Sequence, residues 1–179
     1  MTPEQQFITK LLEIASSEGM DKIFSKGDFI VKEGQVEQSI YFIKTGAVRV
    51  FHVTEFEEQT IRFGYEGSII TSLSSFITGK PSEFYIEALR KTTVKIISKQ
   101  QLFDLVNASP QHMHQYTRLL ENLIVQQMER EIDLLTESPT KRLQRVLQRS
   151  PNLFQEIPLK YIASYLRMTP ETLSRIRNS

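Results

Sequence analysis

The chain has 179 residues, 40% of them hydrophobic and 24% charged, with a formal net charge of +1, a composition suited to one globular domain or two small ones. It contains no cysteine, which excludes disulfides, thiolate metal sites and cysteine-ligated iron–sulfur clusters. No apolar run approaches the roughly 20 residues of a membrane span, and the N-terminus has neither the basic segment nor the small-residue cleavage site of an export signal, so a cytoplasmic location without membrane attachment is expected.

In chain order, Phe7, Ile8, Leu11, Leu12, Ile14 and Ala15 recur at helical spacing and predict a helix within the first 20 residues. The texture then changes. Short β-branched and aromatic runs at 23–24, 29–31, 40–44, 47–53, 59–65, 68–70, 84–88 and 94–97 are separated by polar turns, with Gly27, Gly34, Gly46 and Gly67 between them. Many short strands at this spacing predict a small antiparallel sandwich or barrel.

Helix returns after Ser98, a good N-cap for Lys99–Asn107 with Gln101 in place to complete a capping box. Pro110 can open a second helix, Pro110–Leu135, which holds no further proline and no glycine. Met113, Tyr116, Leu120, Leu123, Ile124, Ile132, Leu134 and Leu135 form a roughly heptad stripe along it, interrupted by Gln127 and Glu131. Such a helix is about 39 Å long, longer than a small barrel is wide. A second copy of the chain is the simplest cover for the remainder of the stripe; the alternative is that all of it lies on its own barrel. Ser138 and Pro139 then open a helix over 139–148. The expected division is an effector domain at 1–109, a dimerisation helix at 110–137 and a DNA-binding unit at 138–179.

The C-terminal unit carries the strongest motif. Leu159, Ile162, Ala163 and Leu166 share one helical face; after Arg167 and Met168, Thr169 can cap a helix that starts at Pro170 and turns Leu173 and Ile176 to one side. Two short helices across a tight turn are the helix-turn-helix pattern, whose second helix lies in the DNA major groove. Thr169, Pro170, Glu171, Thr172, Ser174, Arg175 and Arg177 would face DNA, with Arg175 able to read guanine or grip phosphate. Arg167 stands at the turn position where glycine is usual, a left-handed conformation costing about 1 kcal/mol. Charge points the same way: from 139 onward Lys141, Arg142, Arg145, Arg149, Lys160, Arg167, Arg175 and Arg177 face only Glu156 and Glu171, while the rest of the chain has an acidic excess. A helical hairpin that only packs, with a solvated basic face, is the other reading.

The segment 159–177 resembles the helix-turn-helix of the cyclic AMP receptor/Fnr (CRP/FNR) family of bacterial regulators. The stretch from Phe24 through Gly27 to Gly34, and the next from Ser39 through Gly46 to Val50, resemble that family's strand–glycine-turn–strand runs. The resemblance covers residues 20–179. It implies an α+β chain with an N-terminal jelly-roll barrel like the cyclic nucleotide-binding domain, a long dimerisation helix and a C-terminal helix-turn-helix. Double-stranded DNA and RNA polymerase are the partners it implies. Two departures matter. The family's nucleotide-binding members hold the cyclic phosphate with a Gly-Glu pair and an arginine some ten residues later; here Thr71-Ser72 and Ser82-Glu83 stand at those places. A carboxylate in place of a cation repels phosphate, so cyclic AMP is expected to bind weakly or not at all. A different small effector could be held by Ser72, Ser74, Ser75, Ser82, Glu83, Phe84, Tyr85, Gln126 and Gln127, or none is bound. The second departure is that no wing hairpin follows Arg177 here, which places more weight on dimerisation for DNA affinity.

His52, His112 and His114 form no recognisable metal set, and no Walker loop, nucleophile elbow or catalytic carboxylate pair is present, so no enzyme is expected. The reading is a transcription regulator; the alternative is a ligand- or protein-binding module with a vestigial DNA-binding domain.

Overall fold

The computed structural model describes residues 2–18 and 21–178, without the side chains of 15–18, so the Ala15 side chain of the expected first stripe lies outside what is described. Eight strands form the first half: β1 (Asp21–Phe24), β2 (Phe29–Val31), β3 (Ser39–Thr45), β4 (Ala47–Val53), β5 (Glu58–Tyr65), β6 (Ile69–Ile70), β7 (Tyr85–Ala88) and β8 (Thr92–Ser98). They make two antiparallel sheets, with orders β1-β8-β3-β6 and β2-β7-β4-β5. Residues such as Ile43, Val48, Ile86 and Val94 fill the space between the sheets and are fully buried. β4 departs from simple alternation, since Ala47 through Phe51 are all buried. Its second face is covered as well, by the C-terminal helices.

The chain reversal between β3 and β4 depends on Gly46. Its φ is +100°, and a Cβ there would stand 2.4 Å from Thr92 Oγ1 and 2.7 Å from the Lys91 carbonyl oxygen. Both the backbone conformation and the lack of space demand glycine.

The helices begin as their caps dictate. α1 (Pro3–Glu18) buries Phe7 and Leu11. α3 (Lys99–Asn107) has the full capping box: Ser98 Oγ accepts from Gln101 N at 3.1 Å, and Gln101 Oε1 accepts from Ser98 N at 2.9 Å. Three later helices, α4 (Pro110–Leu135), α5 (Pro139–Arg149) and α8 (Pro170–Arg177), share one start: a hydroxyl residue (Ser109, Ser138 or Thr169) accepts a backbone N–H from the first turn and proline follows it. Two short helices have no counterpart in the sequence reading. α2 (Leu73–Thr78) and α6 (Leu153–Glu156) are too short for a hydrophobic period to register, and α2 is ended by Gly79 at φ +72°.

α4 divides along its length. Tyr116, Leu119 and Leu123 turn toward α1, α3 and the barrel. Val125, Met128, Ile132 and Leu135 are exposed and repeat at the three-and-four spacing of a coiled-coil seam. Val125 and Met128 were absent from the expected stripe, which instead ran through Gln127 and Glu131.

The C-terminal helices α5, α6, α7 (Leu159–Tyr165) and α8 share a core of Leu143, Val146, Leu153, Ile162, Leu166 and Leu173, continuous with Ala47 and Leu89 of the barrel. Helices α7 and α8 meet across the turn at 166–169, where Arg167 has φ 55°. It takes the left-handed conformation expected of glycine there, at a cost of about 1 kcal/mol.

Gly46→Ala should destabilise the chain by roughly 2 kcal/mol or more, read as a lower midpoint in urea unfolding; an unchanged midpoint would mean that the reversal relaxes around a side chain.

Candidate functional site

The basic C-terminal segment divides into two sets. Asp133 near the end of α4 is completely buried and is neutralised from α5: Arg145 Nε donates to it at 2.9 Å, and Arg149 Nη2 donates to its second oxygen. Glu129, one turn earlier, accepts from Arg145 at 2.7 Å and Arg149 at 3.2 Å. Arg142 donates to the Thr136 carbonyl at 2.8 Å and to the Leu166 carbonyl at 2.5 Å, tying the end of α4 to the α7–α8 turn. Three of the basic residues thus hold the C-terminal helices to α4. Lys141, Lys160, Arg167, Arg175 and Arg177 remain exposed.

On α8, Leu173 is fully buried and Ile176 packs beside it, so the opposite face carries Glu171 and Arg175, with Pro170 exposed beside them and Thr172 and Ser174 half-buried. Arg177, one turn after Leu173, is exposed at the edge of the apolar side. Thr169 accepts the Thr172 N–H at 3.2 Å and their hydroxyls are hydrogen-bonded. The Glu171 carboxyl is held below the usual range by its backbone N–H at the helix start, then by Thr169. Arg177 sits over the ring of Phe154 at 5.7 Å. The expected DNA-facing set is therefore brought together on one outward helix and its cap.

Beneath α8, α7 is docked on the barrel. β5 is an edge strand, and Ser164 of α7 serves that edge: its Oγ accepts from Thr60 N at 3.0 Å and donates to the Glu58 carbonyl at 3.1 Å. Arg49 on the outer face of β4 is 5% exposed. Its guanidinium lies between the rings of Phe51 (3.9 Å) and Tyr161 of α7 (4.2 Å), and it donates to Glu87 at 2.6 Å and to Glu58 at 2.5 Å. Nearby, Arg90 donates to the Gly46 carbonyl and to Glu156.

The expected effector residues separate into two places. Ser72 and Ser82 meet, Oγ to Oγ, at 2.7 Å, and Ser82 also donates to the Phe84 carbonyl. Ser75 accepts from Glu37 N and donates to the Lys80 carbonyl. These serines are buried, and their hydroxyls are hydrogen-bonded within the protein. Ser74 and Glu83 are exposed, and Phe84 packs beside His52 at 6.0 Å. Tyr85 stacks on Phe51 and its hydroxyl donates to Glu33. Gln126 and Gln127 lie elsewhere, in a cavity of about 650 Å³ between β5, β6, α4 and the α5–α6 region.

That cavity holds groups that the sequence reading missed. Arg62 of β5 pairs across the sheet with Val50, a core residue, and donates to Gln126 Oε1 at 2.8 Å. Arg130 stacks on Tyr165 at 3.8 Å. Burial lowers the pKa of both. Arg130 was findable, since it lies one helical turn beyond Gln126 and Gln127. Arg62 had a weaker signal, a lone cation on the Gly64 face of an apolar strand.

Residues 21–109 match the family model described as the cyclic nucleotide-binding domain. The fumarate and nitrate reduction regulatory protein of Vibrio cholerae is 28% identical over 167 residues, which span 87% of this chain and 66% of that protein's length. The transcriptional activator protein Anr of Pseudomonas aeruginosa is 25% identical, over 92% of this chain and 74% of that one. Among solved structures, FixK2 from Bradyrhizobium japonicum superposes with a TM-score of 0.77 over 89% of this chain and 83% of its own, at 18% identity; the likeness is one of fold.

Ser164→Ala should speed hydrogen exchange at the Thr60 amide by about fivefold, since removing one hydrogen bond costs about 1 kcal/mol, while amides of β3 stay unchanged. Equal exchange in both proteins would mean that α7 does not close the β5 edge.

Proposed function

The chain belongs to the CRP/FNR family of transcription regulators with a cyclic nucleotide-binding domain, and from that premise we propose that it is a homodimeric DNA-binding regulator whose effector is not cyclic AMP. The division is the one expected from sequence: an effector jelly roll at 1–109, a dimerisation helix at 110–137 and a helix-turn-helix unit at 138–179. The observation that carries the reading is the orientation of α8. Its apolar face packs on α5 and α7 and Glu171 and Arg175 are exposed on the other side, which supports a reading in which Thr169, Pro170, Glu171, Thr172, Ser174, Arg175 and Arg177 contact a groove.

Dimerisation follows from α4. Val125, Met128, Ile132 and Leu135 expose a heptad seam that costs solvation until a second helix covers it. Two recognition helices related by a two-fold axis would then read two half-sites about one helical turn apart. Met128→Glu places a charge in that seam, and sedimentation velocity should show a monomer where the unmodified chain is a dimer; a dimer in both would move the interface elsewhere.

At the places where the family's phosphate-holding residues stand, Ser72 and Ser82 bond to each other and Glu83 adds a carboxylate, which disfavours cyclic AMP. Regulation is a shift between dimer geometries, transmitted through α7 on β5 and α5 on α4.

A mobility-shift titration with the DNA upstream of the chain's own coding sequence tests the output. The full chain should give a specific complex that weakens steeply with salt, and Arg175→Ala should cost roughly 1–3 kcal/mol in affinity. Equal affinity for random duplex would favour the alternative, a ligand-binding module with a vestigial DNA-binding domain.

A further inference from the structure

The 650 Å³ cavity beside α4 has an unusual charge inventory. Among the described residues no aspartate or glutamate lines it, yet Arg62, Arg130 and Arg149 do. Arg149 is neutralised by Glu129 and Asp133. Arg62 has the neutral Gln126 oxygen at 2.8 Å as its hydrogen-bond partner. Arg130 has the ring of Tyr165 beneath it, and its Nη1 is buried with no hydrogen-bond partner. Asp133 lies one turn further along α4, but its carboxylate is taken by Arg145 and Arg149. Both guanidiniums are half-buried, neither is paired with a carboxylate, and Arg130 feels Asp133 only as a weaker attraction; charge partly withdrawn from water in this way is costly. Burial accordingly lowers the pKa of each. The remaining wall is largely apolar, with Ile61, Phe63, Ile69, Leu119 and Leu123.

We propose that this cavity is an effector site for an organic anion, whose acidic head is held by Arg62 and Arg130 and whose apolar body lies against Leu119, Leu123 and Ile69. The head chemistry is an oxyanion, carboxylate or phosphate, which a guanidinium grips with two parallel hydrogen bonds. The volume suits a small ligand. The site is separate from the Ser72–Ser82 loop. It touches β5, α4, α5, α6 and Tyr165 of α7, so a ligand there would contact the effector barrel, the dimerisation helix and the DNA-facing unit together. Neutralising Arg130 from the ligand side would also remove a repulsion that Arg142 and Arg167 feel from it, since both lower its pKa. The proposal rests on the reading of the chain as an effector-responsive regulator only for its consequence, since binding is measured without DNA.

The test is calorimetric titration of the full chain with octanoate, octyl phosphate, 1-octanol and inorganic phosphate. Octanoate or octyl phosphate should bind, and whichever is tighter identifies the head group. Octanol and inorganic phosphate should bind at least ~tenfold more weakly, because each lacks one half of the recognition. Arg62→Gln and Arg130→Gln should weaken the octyl anion by ~tenfold or more, with Arg62→Lys retaining part of it. Thermal melts of each variant verify that it is folded; should one Gln variant unfold, the other and Arg62→Lys decide. Failure of both octyl anions to bind at millimolar concentration would overturn the proposal. So would octanol binding as well as octanoate, or binding unchanged in the Gln variants. Anion binding with no specific DNA complex would sink the regulator reading and leave the site intact; the reverse outcome would do the opposite.

Discussion

The outer face and edge of the β4–β5 pair decide what the rest of the molecule can do. An edge strand offers unpaired backbone groups, and an exposed one invites pairing with another chain. Here Ser164 occupies that edge, and Arg49 is buried between an aromatic ring of the barrel and one of α7. A buried guanidinium requires its counter-charges, and Glu58 and Glu87 supply them. The result is a polar contact with little tolerance for displacement, because moving α7 exposes or orphans several groups at once. With α7 fixed, α8 is fixed through the shared Leu166–Leu173 core, and its outward face acquires a defined direction.

A second polar contact adds to the first. Asp133 on α4 is buried under Arg145 and Arg149 of α5, so the C-terminal helices are gripped by the long helix as well as by the barrel. Any change of geometry between barrel and long helix must then be absorbed where the two grips meet, around Arg62, Arg130 and Tyr165. A cavity lies at that place. On the proposed reading, an occupant of the cavity would touch both grips at once.

Much of this was written locally and could be read. The hydroxyl–proline starts at Ser109, Ser138 and Thr169, the capping box at Ser98 and the glycine reversal at Gly46 each depend on neighbours within a few residues. Apolar periodicity gave most of the strands and the paired faces of α7 and α8. What could not be read depended on distant partners. The basic excess after residue 139 looked uniform, yet Arg142, Arg145 and Arg149 are consumed by Thr136, Glu129 and Asp133; nothing local separates a tethering arginine from an exposed one. The serines at 72, 75 and 82 were expected to line an effector pocket, but burial turns Ser72 and Ser82 to each other and Ser75 to the Glu37 N–H and the Lys80 carbonyl. Likewise the α4 stripe was traced through Gln127 and Glu131, since neighbouring faces of a long helix differ by only one residue in register and the barrel's position selects between them.

The account stands on α8 as a reader of DNA in a symmetric pair, and selection by the full chain from a pool of random-sequence duplexes tests that most directly. The account predicts enrichment of a two-fold symmetric site with half-sites centred about 10 base pairs apart. A pool that emerges without a common sequence, from protein shown to be folded, would contradict it.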